Sequence, residues 1–501
     1  MSSSTSAGER RGPAPISVLV FCLAYTVLTL VLCMARGAWD LPLTSDNQHY
    51  FFIAERTAAG VPPHVSQFDP KNELSGLLSA AAIRAGDVAG IDEVHATRTL
   101  SLVVTALSVA LAGWAAWLIG GPLAAHLASV LMLEASGFLY MGSMGCRPKV
   151  FLVFFSLAAL VAVARRNHAV AGLAGASAFL CWQPGLLLVP VVAAALRFSG
   201  GRDRWLRFSA GVTIPIVLYH GYFLAKGALA PMLEQAYRVP AMYSDYAIRP
   251  LSASLNWLTH ALAAPLGGAT PGRLLLACLL SAWLIAASSP RRAVSTMLRR
   301  PGLLCCFVLA NLTVLFTLVD YQGYPDTFFC LPFLAVLAAT VIAGSVKALA
   351  ERTGLRLGGR ATLGAAVVAA VVLAVGARGW SRFPRQFSLA DQYRLGREVG
   401  KLISYGYTIY AVGCTHLLAF NRVNNYVPYG YFFRRINRFI VDEARRTTGR
   451  RVYMPLVDGR LPEVILLSRW FIPWGRTWLE RDYQEVTTRD YRRQGISVWM
   501  R

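Results

Sequence analysis

Acidic residues are scarce in this 501-residue chain: 26 Asp and Glu stand against 49 Lys and Arg, and charged residues of both signs make up only 15% of the sequence. Water-soluble chains carry nearer to about a quarter, so the shortage excludes an ordinary soluble enzyme, a disordered chain and a coiled coil. No Cys-x-x-Cys pair occurs, and Cys22, Cys33, Cys181, Cys278, Cys305, Cys306 and Cys330 lie in or beside apolar blocks. They read as small apolar packing residues rather than a disulfide framework. Internal repeats are also lacking, which disfavours a transporter built from duplicated halves.

What the chain has is apolar length. Hydrophobic residues make up 55% of it and fall into repeated blocks of roughly 17–22 residues, the length that crosses a ~30 Å hydrocarbon layer as helix. Spans are predicted at Ile16–Met34, Thr97–Leu118, Leu123–Tyr140, Val150–Ala164, Phe208–Leu224, Leu274–Ala287, Leu303–Leu318, Thr327–Val346 and Ala361–Ala377. The 28 residues Ala169–Leu196 are too long for one upright span, and Arg-rich clusters flank them on both sides. A split at Trp182-Gln183-Pro184 into two short helices restores the even number of crossings.

Most of the basic residues are arginines, and many of them sit between these blocks, at Arg165-Arg166, Arg197 to Arg207, Arg291 to Arg300 and Lys347 to Arg360. The positive-inside rule reads such connections as cytoplasmic, so the +23 charge points to membrane lipids as partners and away from nucleic acid. The expectation is an α-helical polytopic membrane protein of about eleven spans. Its first apolar run is retained rather than cleaved, its N-terminus is cytoplasmic and a long first outer loop covers residues 35–96. A polytopic domain, 1–379, precedes a small periplasmic α/β domain, 380–501, with strands at Tyr407–Val412, Val464–Leu467 and Ile496–Met500 and a helix at Tyr431–Thr447. Ser252–Leu266 reads as an amphipathic stretch in a second outer connection.

Polar residues concentrate in the first outer loop. Asp46 reads as an N-cap-type residue opening an interfacial helix in which Tyr50, Ile53, Ala54 and Ala58 follow helical spacing, and Gly60 closes it. A plain capping role for Asp46 stays open on these grounds. Downstream stands Phe68-Asp69-Pro70-Lys71-Asn72-Glu73-Leu74, followed by a small-residue apolar stretch.

Asp46, Tyr50, Ala54, Gly60, Pro63, Lys71 and Leu74, with Arg147-Pro148-Lys149, Gln183-Pro184 and Leu331-Pro332-Phe333, resemble the membrane-embedded glycosyltransferases of the GT-C superfamily. These use polyprenyl-phosphate sugars and include protein O-mannosyltransferases and bacterial enzymes that glycosylate lipid A or core oligosaccharide. Asn72 and Glu73 stand where that family's loop motif has two prolines, and Lys149 stands where relatives often carry an acid. The resemblance implies a GT-C fold in a bacterial inner membrane, and an inverting transfer of a sugar from a polyprenyl-phosphate donor to a glycan, lipid or protein acceptor.

That chemistry needs a carboxylate base to take the acceptor's proton, and cations to hold a leaving group that is already a phosphate. Asp46 is the candidate base, and Lys71 and Arg147 are the candidate phosphate ligands. The rival reading of both cations is contact with anionic lipid headgroups. Asp69, Glu134 and Tyr50 are auxiliary candidates; Glu134 lies twelve residues into its span, where acids are functional candidates by default. Asp320 and Asp326 read as solvated loop acids. The separation of His49 and His64 matches no metal signature. No cofactor is implied, and a divalent metal stays open. A transporter or flippase, or a polymerase or ligase of lipid-linked sugars, is the alternative.

Overall fold

A charge-free apolar run that enters lipid must satisfy its backbone internally, and the helix does so within one segment. The computed structural model describes residues 16–44, 46–197, 203–243, 269–319, 324–353, 387–428, 460–468 and 476–501. In chain order, α1 (Ile16–Ala35) is followed by α2 (Asp46–Ala58) and α3 (Leu74–Ala89) in the first long loop. Then come α4 (Glu93–Gly120), α5 (Pro122–Leu133), α6 (Ser136–Met144), α7 (Pro148–Ala164), α8 (His168–Cys181), α9 (Leu188–Arg197) and α10 (Asp203–Ala225). Ala269–Ser288, Pro301–Val319 and Leu331–Arg352 complete the apolar helices among the described residues.

Five of these, α1, α4, α10, Pro301–Val319 and Leu331–Arg352, are each long and apolar enough to cross a membrane. The pair α5 and α6 makes a sixth if its 63° bend is one broken span, and α7 and α8 are shorter apolar helices. This is a multi-pass membrane protein. The span expected at Ala361–Ala377, the stretch Ser252–Leu266 and the helix expected at Tyr431–Thr447 lie outside the described residues.

One span departs from its expected form. Leu123–Tyr140 is predicted as one span, yet the chain turns at Glu134 and Ala135, where the backbone leaves helical geometry (Ala135 ψ 68°). The adjacent Ser136-Gly137 is the kind of pair at which helices kink sharply. The expected break after α8 does occur: Trp182 is extended, and a short 3₁₀ turn, Gln183–Leu187, leads into α9. Pro184 there has no N–H with which to continue the helical ladder.

Small residues let the helices meet closely. A Cβ placed on Gly211 would lie 2.1 Å from the carbonyl oxygen of Ala169, and one on Gly172 would lie 2.4 Å from that of Phe208. Backbones of α8 and α10 therefore touch directly, the way glycine-rich helix contacts form in lipid.

The C-terminal residues build a four-stranded sheet ordered β1-β2-β4-β3, from β1 (Ile409–Val412), β2 (Val464–Ser468), β3 (Gln484–Glu485) and β4 (Ile496–Met500). β1 and β2 run parallel, and β4 is antiparallel to both its neighbours. Gly413 follows β1 at φ 68°, a turn conformation that favours glycine. The helix Leu389–Ser404 begins with a capping box between Ser388 and Asp391. Its buried face, Leu389, Leu395 and Val399, shares one apolar core with Tyr50, Phe51, Phe52 and Ala54 of α2 and with Ile409 and Val464.

The helix α2 is therefore enclosed rather than interfacial, in contrast to the expectation. Asn47 and every residue from His49 to Thr57 are buried. Gln392 fastens the sheet unit to this loop, its amide accepting from the backbone N–H of Leu43 and donating to that residue's carbonyl, each at 2.7 Å.

Candidate active site

The loop is held to the bundle from below by Arg98, a fully buried arginine within α4. Its guanidinium donates to the carbonyl of Leu41 at 2.5 Å and to that of Trp39. The chain then enters α2 with Asp46 as the first helical residue, rather than as the cap preceding the helix. An acid in the first turn complements the helix dipole.

Arg147 reaches Asp46 from 101 residues away, its Nη2 donating to Oδ2 at 2.6 Å. It sits just before α7 with an extended backbone (φ −83°, ψ 120°), the conformation that a following proline such as Pro148 enforces. Its other terminal nitrogen meets Met141 Sδ of α6, and Met144 at the end of that helix takes a bond from Asn47 at 2.7 Å. The bend at Glu134 thus turns α6 beneath the start of α2. The Arg147 side chain is 4% exposed and that of Asp46 25%, so the carboxylate is the accessible member of the pair.

Lys71 donates to the hydroxyl of Tyr50 and lies 5.1 Å from that ring's centroid. Its placement depends on Asp69, whose Oδ1 accepts the Lys71 backbone N–H at 2.7 Å while Oδ2 meets His49 Nε2 at 2.6 Å. Two glutamines from remote elements fasten the same loop. Gln235, in a π-helical turn Glu234–Arg238, accepts from the Asp69 N–H at 3.2 Å and donates to the His64 carbonyl at 2.7 Å. Gln183 donates to Pro70 O at 2.8 Å and to Ala236 O at 2.7 Å.

Electrostatics sort these groups. Burial, then the carboxylates of Asp69 and Asp46, push the Tyr50 phenol well above its ordinary range, so it stays protonated. Burial opposes ionisation of Asp69, but Lys71 and the His49 hydrogen bond outweigh it and hold the carboxyl below its usual range. Glu73 is the contrasting acid. Fully enclosed, with neither carboxyl oxygen hydrogen-bonded among the described residues, it is pushed well above its usual range by burial and then by Asp69.

A second ion pair lies beside the first. Lys149 pairs with Asp326 and stands 4.5 Å from the ring centroid of Trp182. Asp326 is buried, not a solvated loop acid, and Asp320 lies outside the described residues. Glu134 stays apart at its bend, with Arg36 as its attracting charge. Among the described residues no three His, Cys, Asp or Glu side chains form a group that could hold a metal ion.

The structure thus gathers Asp46, Arg147, Tyr50, Lys71 and Asp69 and leaves out Glu134. Sequence reasoning missed the His49–Asp69 pair, Gln235, Glu73 and the Lys149–Asp326 pair. Only Lys149 carried a signal, since it stands two residues after Arg147 across a proline.

No known family model matches the sequence, and no curated protein matches it. Solved structures share its fold. ArnT from Cupriavidus metallidurans bound to undecaprenyl phosphate superposes with a TM-score of 0.56 at 14% identity, covering 97% of this chain and 98% of that one. The Archaeoglobus fulgidus oligosaccharyltransferase in complex with Zn and sulfate gives 0.52 at 13% identity, over 91% and 69% of the two chains. The archaeal oligosaccharyltransferase AglB from Archaeoglobus fulgidus, with an inhibitory peptide and a dolichol-phosphate, gives 0.52 at 12% identity, over 90% and 70%. The chain thus shares the fold of ArnT and of the archaeal oligosaccharyltransferase.

Proposed function

We propose that the chain is an inverting glycosyltransferase that takes a sugar from a polyprenyl phosphate and passes it to a glycan, lipid or protein acceptor at the outer face of a bacterial inner membrane. The observation that carries the reading is the partly accessible Asp46 carboxylate backed by Arg147, with Lys71 held nearby by Asp69. Support comes from the fold, shared with ArnT bound to undecaprenyl phosphate and with AglB bound to a dolichol-phosphate.

In this reading Asp46 takes the proton of the attacking hydroxyl. Arg147 and Lys71 hold the phosphate, the first as a fork and the second as a point charge. Tyr50 steers the Lys71 ammonium, and Asp69 with His49 fixes the loop that carries it. In this reading the C-terminal domain, 380–501, is periplasmic, so a reporter fused after Arg207 is cytoplasmic and one after Trp380 periplasmic.

The test is reconstitution of the purified chain in vesicles with a polyprenyl-phosphate sugar labelled in the sugar. A transferase separates label from lipid when acceptor is supplied. Label that crosses the bilayer still attached to its lipid identifies a flippase and overturns the proposal.

A further inference from the structure

Arg147 stands beside a group that changes charge in the reaction proposed above, and that reaction places a second such group in its reach. Its Nη2 is 2.6 Å from Asp46 Oδ2, and its second terminal nitrogen rests on Met141. The guanidinium is buried behind the carboxylate, which faces the accessible side. Such a hydrogen bond stabilises the ionised carboxylate and so makes it a weaker base. When the carboxylate accepts a proton, this bond loses its charge assistance and weakens.

In the transfer step the acceptor oxygen forms a bond to the anomeric carbon, and the anomeric carbon–oxygen bond to phosphate breaks. Its electron pair stays on the phosphate, and the acceptor's proton passes to Asp46. The phosphate goes from one negative charge to two as Asp46 goes from one to none. We propose, resting on the transferase reading, that Arg147 couples these two changes: its hold on Asp46 dominates before transfer and its hold on the phosphate dominates after it. Protonation of the base releases the guanidinium to the group that has just gained charge. The planar fork suits the exchange because it can hold an oxygen of each partner at once, which a lysine ammonium on a flexible stem does less rigidly.

Binding of sugar-free polyprenyl phosphate to the purified full chain tests the coupling without any turnover. Asp46→Asn imitates the protonated base, and Asp46→Ala removes the acceptor altogether. Both should bind polyprenyl phosphate more tightly than the wild-type chain, by about tenfold if one charge-assisted hydrogen bond is released to the phosphate. In an Arg147→Lys background the gain from Asp46→Asn should vanish. Binding by the wild-type chain with no gain in either Asp46 variant would overturn the coupling and leave the transferase reading intact. A wild-type chain that does not bind polyprenyl phosphate would overturn both.

Discussion

Helices α2 and α7 are both buried, but for different reasons. In α7 the enclosed side chains are almost all apolar, Val150, Phe151, Leu152, Val153 and Leu157 among them, with Ser156 as a small exception. Shape alone holds such a helix, because lipid is as apolar as its neighbours and packing supplies the attraction. In α2 the enclosed set includes Asn47, His49, Glu55, Arg56 and Thr57. Charged groups survive there by pairing, as in the fork between Arg56 and Glu55, whose two bonds are each 2.7 Å. A buried ion that loses its partner is strongly destabilising, so pairing dictates the geometry of this region atom by atom.

The largest effects should separate the two regions. Asp46→Asn should lower transfer by about 10²–10⁴-fold, the usual loss when a general base is removed, with little change in thermal unfolding. Gly211→Ala, at the α8–α10 contact, should do the reverse, because its Cβ would meet a carbonyl oxygen at 2.1 Å. Overpacking of this kind costs about 1–3 kcal/mol of stability. Parallel activity and unfolding measurements on the two variants check the contrast; a loss of both properties in both would erase it.

Next come the cations. Lys71→Ala and Arg147→Ala should each weaken donor use by about 1.5–3 kcal/mol, read from kcat/KM against donor concentration. Unchanged donor kinetics in both would reassign them to lipid headgroups.

Acid should loosen the enclosed loop before it affects the bundle. Burial lowers His64 to about 4 and His416 to about 3. Both stay neutral when folded but take up protons when unfolded, below about 6.5. The unfolded state then binds more protons, so stability is full above pH 6.5 and declines as pH falls towards these folded values. The decline is at most about 1.4 kcal/mol per pH unit for each histidine. Unfolding midpoints at pH 7.5, 6.5 and 5.5 should be level over the first interval and drop over the second, and His416→Gln should reduce the drop.

Tyr50→Phe is the mildest change. It keeps the ring beneath Lys71 and removes one hydrogen bond, so donor KM should rise by the equivalent of about 0.5–1.5 kcal/mol.

Much of the bundle was legible in the sequence because apolar length and arginine placement are local signals. The strand Ile496–Met500 and the break at Trp182 were readable for the same reason. The bend at Glu134 was not, since an 18-residue apolar run reads as one span until the Ser136-Gly137 kink is weighed. In the site, Asp46, Lys71 and Arg147 stood out through their loop motifs. Their partners did not: Arg147 and Asp46 are 101 residues apart, and Lys149 and Asp326 are 177 apart. Pairing over such distances is a property of the folded chain. The burial of α2 was misjudged for a related reason, since its cover comes from the sheet unit more than 300 residues later.

The central claim is a single direct displacement driven by one base, Asp46. The anomeric configuration of the product, read by NMR after reaction with a polyprenyl-phosphate sugar of defined configuration, tests it most directly. Inversion at the anomeric carbon is the predicted result. Retention would require a second displacement and a nucleophile that this site does not provide in the proposed mechanism, and would contradict the account.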